Sequence, residues 1–423
     1  MKYLFVACLL CLSVLSAVAK VPAMNKIRLT NNWEYLKGDL GGIWEAVRPA
    51  APGSSEAVPI WQPVTLPHCF NAEDAVDPDV NYYEGPGWYK TLLAIDNPYR
   101  NGRIVLDFDG AGQKTDVYVY TTHVGSHVGG YDSWNVDITD AVKAFLGSKD
   151  AERFKGKVPL SIRCDNSRDL EMIPSDLADF NIYGGLYRYL NLVYLPEVSF
   201  EQIHLESSLS SNLKEGILKV KTSFYHPEDI RKADVTVSVY DVDRKPVFSK
   251  TLEGILPLGD QLLAKMKIKN PVLWDVDVPQ LYTCELTVKT PDQTFTTEER
   301  FGFRHTEFKD KGPFFLNGKR LLLRGTHRHE DHAGVAQAMT EDMMRREMRM
   351  MKDMGVNFIR LGHYQQSEII LDLCDELGIL VWEEIPWCRG GLGGDVYKKQ
   401  ARRMLANMIV QHHNHPAVII WGL

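Results

Sequence analysis

Cysteine is scarce in this 423-residue sequence, and what there is does not pair. Of seven residues, Cys8 and Cys11 sit in an apolar leading segment, leaving Cys69, Cys164, Cys284, Cys374 and Cys388. An odd, widely scattered set excludes a disulfide framework, and no CxxC pair suggests a zinc site. Basic charge is also in deficit, with 48 Lys and Arg against 55 Asp and Glu. A nucleic-acid backbone or an anionic membrane surface is therefore not the expected partner, and a neutral ligand fits better. No apolar run reaches the roughly 20 residues of a membrane-spanning helix. There is no Gly-rich phosphate loop and no Gly-x-Ser-x-Gly elbow, which removes the usual nucleotide and serine-hydrolase signatures.

The leading segment reads as an export signal. Lys2 is the basic start, Leu4 to Val18 the apolar run and Ala17-Val18-Ala19 a small-x-small cleavage site. Residues 1–19 are thus expected to be removed, so that the mature chain begins at Lys20 and is secreted, to the periplasm or beyond. The length predicts two to four domains.

Residues 20–199 show short alternating runs broken by Gly, Pro, Asn and Asp, the pattern of an antiparallel β-sandwich. Examples are Ile104–Phe108, Thr115–Thr121, Leu160–Arg163 and Leu190–Leu195, with a short helix expected over Ala141–Leu146. Residues 200–304 alternate more cleanly. Val235, Val237 and Val239 share one face, and Tyr282, Cys284, Leu286 and Val288 another, which predicts an immunoglobulin-like sandwich. From residue 305 the period changes. Asn317-Gly318 signals a type I′ turn, after which strands at Leu321–Leu323, Asn357–Gly362, Ile379–Trp382 and Ala417–Trp421 alternate with helices. The first helix should start at the Thr340 cap and stop at Gly355, with Met344, Met348 and Met351 inward; the second should end at Gly378. Parallel β/α structure follows, as a doubly wound sheet or a (β/α)₈ barrel; periodicity does not choose between them.

Chemistry in such folds lies at the C-terminal strand ends. The stretches there, Arg324–His332, Arg360–Tyr364 and Trp382–Trp387, are rich in Arg, His, Glu and Trp, which can hydrogen-bond hydroxyls and stack on an apolar sugar face. A metal site is not expected. His329-Glu-Asp-His332 is one residue short of HExxH and follows a strand rather than lying on a helix. Glu383 and Glu384 are adjacent on a strand, so they point to opposite faces and do not form a catalytic pair.

Taken together these motifs resemble glycoside hydrolase family 2, the group of β-galactosidases, β-glucuronidases and β-mannosidases. The resemblance rests on Trp61–His68, Tyr83–Lys90, Gly129–Tyr131 and Gly184–Arg188 in the first domain, and Leu273-Trp274 with Pro279–Tyr282 in the second. In the third it rests on Phe301–Arg304, Leu316–Lys319, Arg324-Gly325, Arg328–Asp331 and Asn414–Pro416. It implies a jelly-roll sugar-binding domain, an immunoglobulin-like domain and the first half of a TIM barrel. The implied function is a retaining β-glycosidase, β-galactosidase first and β-glucuronidase or β-mannosidase as alternatives, acting without cofactor on a β-linked oligo- or polysaccharide.

By the same resemblance His329 and His363 line the sugar subsite, Arg360 orients the nucleophilic carboxylate, and Asp179 reaches from the jelly roll to the sugar hydroxyls. Two departures stand out: Thr326-His327 replaces a common Val-Asn, and Gln365 follows His363-Tyr364 where proline is usual. Family members carry the acid/base Glu shortly after the Asn-His-Pro stretch and the nucleophile several strands later. Both are therefore expected beyond Leu423, and this chain alone is expected to be inactive. Four β/α units cannot close an eight-stranded barrel, so a complementing C-terminal half or a second copy is an expected partner. The alternative to an enzyme is a secreted carbohydrate-binding protein that works through its jelly roll.

Overall fold

The computed structural model describes residues 26–49, 59–175, 177–225, 231–389 and 392–423; the segment read as an export signal lies outside them. The first domain is a sandwich of two antiparallel sheets. One runs in the order Lys26–Arg28, Leu190–Leu195, Arg103–Phe108, Trp134–Asp137; the other runs Gln62–Val64, Trp33–Lys37, Pro86–Leu93, Val158–Asp165, Lys114–Val119, Thr122–Val128. Alternation sets the inner face: Thr115, Val117 and Val119 are buried while Lys114, Asp116 and Tyr118 between them are half-exposed. Trp33, Leu106, Ile162 and Leu192 close the core from both sheets. The expected short helix is present over Thr139–Leu146.

The second domain packs Phe200–Leu209, Glu215–Phe224 and Gly259–Lys269 against a four-stranded sheet ordered Pro246–Ile255, Ala233–Tyr240, Tyr282–Lys289, Thr294–Phe301. Val235, Val237, Val239, Cys284, Leu286 and Val288 all face its core. Cys69, Cys164, Cys284 and Cys374 are buried free thiols. Burial pushes Cys69 and Cys164 up to about 12, which keeps them unreactive.

The Asn317-Gly318 turn has both residues at positive φ, 51° and 78°, and joins Phe314–Leu316 to Lys319–Leu321. One expectation is corrected here. The Leu321–Leu323 run is not the first barrel strand: Leu321 ends the hairpin, and the parallel sheet begins four residues later. Its strands are β1 (Gly325–Arg328), β2 (Phe358–Leu361), β3 (Leu380–Glu384) and β4 (Val418–Gly422), in that order and all parallel. The physical reason is that the strand carries its polar rim residues within it, so the most apolar triplet marked the wrong element.

Between the strands lie α1 (Glu341–Asp353), α2 (Glu368–Leu377) and α3 (Asp395–His412). Thr340 caps α1 by accepting from the Met343 amide, and α2 ends on Gly378 in the left-handed region at φ 67°. Met344 and Met348 are buried as expected, whereas Met351 is only half-buried. Among the described residues no helix is long and apolar enough to cross a membrane.

A pH dependence is built into the sandwich. Burial lowers His68 to about 4; its ring lies 2.8 Å from the Tyr89 hydroxyl and against Tyr35. The folded chain thus prefers the neutral imidazole. The stability it contributes is complete above the ordinary value near 6.5 and is lost as pH falls from there to about 4. Unfolding free energies from urea titrations at pH 7 and pH 4 should therefore differ less for His68→Gln than for the natural chain, by about 2–3 kcal/mol.

Candidate active site

Strand register assembles the rim. In the parallel ladder His327 pairs with Arg360, and Arg360 with Trp382, so three polar or amphipathic side chains lie abreast across β1, β2 and β3. The Arg360 guanidinium packs 5.1 Å from the Trp382 ring and forks onto Glu384, with Nη2 to Oε1 at 2.7 Å and Nε to Oε2 at 3.1 Å. His363 Nδ1 lies 2.9 Å from the same Oε1. A carboxylate only accepts, so Nδ1 carries the proton, and its 3.1 Å approach to Arg360 Nη2 is a contact between two donors.

His329 and His327 stack with ring centroids 5.2 Å apart, and His363 stands edge-on to both, at 5.4 and 5.1 Å. Burial lowers the His327 and His329 imidazoles below their ordinary value, and repulsion from neighbouring groups adds to this: Arg360 and the His363 ring for His327, the His327 and His363 rings for His329. Gly362 permits the arrangement, since a Cβ there would meet His327 Nε2 at 2.2 Å.

The jelly roll supplies the opposite wall. Phe180 lies 5.8 Å from His329, 6.1 Å from His363 and 5.3 Å from Tyr364. Asp179 accepts from the Cys388 thiol at 3.0 Å and pairs with Arg389 at 3.0 Å. The Cys388 hydrogen bond, helped by Arg389 and His363, holds its carboxyl below the usual range. All four residues singled out from sequence, Asp179, His329, Arg360 and His363, thus stand around one opening.

Glu383 and Glu384 do point apart. Glu383 is fully buried against His412, at 2.8 Å, while Glu384 faces the rim. Sequence reasoning set Glu384 aside together with Glu383; it is the carboxylate that organises Arg360 and His363. Phe180, Cys388 and Arg389 were also missed, because they come from loops whose convergence has no local signature.

The rim is held by interdomain contacts. Arg188 from the jelly roll reaches Glu330, with Nη2 to Oε2 at 2.6 Å and Nε at 2.9 Å, both side chains at 2% exposure or less. Its other donors go to the Tyr131, Asp109 and Gln365 carbonyls, and Glu330 Oε1 accepts from the Ser367 amide at the start of α2. Tyr183 donates to Asp331, and Glu171 accepts from the Gly394 and Tyr397 amides at the start of α3. On the other side Asn414 bonds the backbone of Leu205 and Ile203 in the second domain.

Arg188→Met should destabilise the chain by about 3–5 kcal/mol, since it takes the hydrogen-bonded cation from the buried Glu330 carboxylate and leaves only Arg328, at 3.9 Å, beside it. Adding Glu330→Leu should recover part of that loss in the same denaturant titration. A double variant as unstable as the sum of the singles would show that the two residues act independently.

The chain matches three related sequence families. Residues 40–196 match the sugar binding domain of glycosyl hydrolases family 2, residues 198–304 glycosyl hydrolases family 2, and residues 307–423 the family 2 TIM barrel domain. A putative β-glucuronidase of Formosa agariphila is 38% identical over 94% of this chain and 46% of its own length. A β-galactosidase of Thermoanaerobacterium thermosulfurigenes is 30% identical over 94% of the chain and 53% of its own length. Among solved structures, the Parabacteroides merdae β-glucuronidase with glycerol in its active site is 99% identical with a TM-score of 0.94. That match covers 96% of this chain and 52% of the other. The apo structure of Bacteroides uniformis β-glucuronidase 3 is 58% identical with a TM-score of 0.90, over 95% of this chain and 51% of its own. The chain therefore spans about half the length of the relatives it matches.

Proposed function

The chain belongs to glycosyl hydrolase family 2, and from that premise we propose that the protein carrying it hydrolyses β-D-glucuronides, with this chain supplying the wall that grips the sugar. The observation that carries the reading is the 99% identity to a solved β-glucuronidase. Relatives named β-galactosidase match at 30% or less. The preferred sugar accordingly moves from the galactoside favoured by sequence motifs to a glucuronide.

In this reading the imidazoles of His329 and His363 bond sugar hydroxyls, Asp179 accepts another, and Phe180 covers an apolar face. Glu384 sets the direction of His363 by fixing its proton on Nδ1, which leaves Nε2 for the sugar. The Arg360–Glu384 fork keeps both groups in place without cost at the moment of reaction. Retaining hydrolysis needs two carboxyl groups about 5–5.5 Å apart, one as acid/base and one as nucleophile. Glu383 and Glu384 are committed to His412 and Arg360, which supports giving neither that role. The pair then comes from sequence outside the half of the relatives matched here, and the open edge of β4 is where the remaining strands add. Export is part of the same reading and rests on the basic and apolar leading residues; N-terminal sequencing of the protein from its source should start at Lys20 rather than Met1.

Turnover of p-nitrophenyl β-D-glucuronide, β-D-galactoside and β-D-mannoside by the whole protein tests the substrate. We expect kcat/KM for the glucuronide to exceed the others by at least about 100-fold, because a site that hydrogen-bonds a substrate group rejects analogues lacking it. Equal or faster galactoside turnover would sink the assignment. His363→Ala should lower kcat/KM by roughly 100-fold with little change in thermal midpoint, since the imidazole faces the opening rather than the core.

A further inference from the structure

Of the three clustered imidazoles, His327 has no task in the glucuronide reading, and it departs from the Asn common at its place. It stands deeper than the other two. Arg328, its neighbour on β1, points outward to Glu347 of α1, so His327 points into the barrel, in the row of Arg360 and Trp382. His329 is two residues nearer the opening, about 6.5 Å along at the usual strand rise.

The ring is wedged. Its Nε2, Cε1 and Cδ2 atoms fill the space where a side chain on Gly362 would go, so that edge faces backbone and is not turned to a ligand. His329 lies against it with centroids 5.2 Å apart and planes 13° from parallel, and His363 stands edge-on at 5.1 Å and 82°. We infer that His327 is a positioning residue: it is the shelf on which His329 and His363 rest, and it sets how far both reach toward the sugar. The inference takes from the proposed function only that those two residues hold the substrate.

The surroundings suit a shelf. Burial and the adjoining Arg360 hold the His327 imidazole below its ordinary value, so the ring is uncharged at neutral pH and lies against His329 without repulsion. The separations match the offset and edge-on arrangements that aromatic rings prefer. Hydrogen bonds alone leave the upper rings free to pivot. His363 is tied through Nδ1 to Glu384, and His329 Nδ1 lies 3.4 Å from the Tyr364 hydroxyl. Phe180 on the jelly-roll side and His327 on the barrel side remove that freedom.

The test measures turnover of p-nitrophenyl β-D-glucuronide by the whole protein and its variants, with circular dichroism checking that each is folded. Groups that grip the sugar equally in the ground state and the transition state act on KM and leave kcat alone. His327→Ala should therefore raise KM at least about tenfold with kcat within about threefold, since small misplacements of a gripping group are costly. His327→Phe keeps a ring for His329 to lie on and should return KM to within about threefold of the natural protein. Gly362→Ala keeps His327 but drives its ring aside, and should reproduce the raised KM of His327→Ala. His332→Gln, in the same loop but bonded to the Ala333 carbonyl, should match the natural protein.

A crystal structure of His327→Ala should show the His329 and His363 rings displaced from their 5.4 Å spacing. Unmoved rings, an unchanged KM or a loss confined to kcat would overturn the proposal. A Phe variant as poor as the Ala variant would overturn it too, by giving the imidazole nitrogens a direct role. The ring positions are read without substrate, so failure of the glucuronide assignment leaves this test intact.

Discussion

Everything at the rim depends on one buried ion pair. Arg188 has five N–H groups, and all five are used: two on Glu330 and three on carbonyls of Tyr131, Asp109 and Gln365. An unpaired charge at this depth would cost several kcal/mol, and the pair offsets that cost only because every donor has an acceptor. The arrangement ties the jelly roll to the loop after β1, to the segment before α2 and, through Tyr131, to Tyr364. Asp179 and Phe180 stand opposite the histidines because Arg188, nine and eight residues further along, is fixed. The ion pair therefore acts more as a registration device between domains than as a source of net stability.

That reading changes what the conspicuous motifs mean. Of Arg328-His329-Glu330-Asp331, one member faces the opening. Arg328 pairs with Glu347, Glu330 takes Arg188 and Asp331 takes Tyr183. Asn414-His415-Pro416 is likewise structural: Asn414 bonds the second domain, His415 pairs with Asp375 at 2.7 Å, and the Pro416 carbonyl accepts from Arg304. The motifs identified the family because interdomain geometry fixes their side chains as firmly as chemistry would.

How much could be read in advance follows from periodicity. Both sandwiches were legible, because Val117–Val119 and Val235–Val239 alternate at a period of two against a single core. The helices were legible from Thr340, Gly355 and Gly378. The barrel's first strand was misplaced because Leu321–Leu323 is more apolar than Gly325–Arg328, whose polar residues belong to the rim. The site was half legible. Asp179, His329, Arg360 and His363 came from the family likeness, whereas the Phe180 wall arises only once the jelly roll packs on the rim, and the Arg360–Glu384 fork and the His327 contact only once β1, β2 and β3 lie side by side. Such cross-strand neighbours leave no trace at any fixed spacing.

The cap on α3 carries a consequence of another kind. Gly394 offers no side chain to its own helix, and the exposed amides are satisfied by Glu171, a residue 223 positions earlier. During synthesis at about 5–20 residues per second, Glu171 precedes the helix it completes by something like ten to forty seconds. The sandwich has that interval to fold before the helix emerges. In the order of translation, the jelly roll serves the growing barrel as a template, already carrying the end-piece of a helix not yet made.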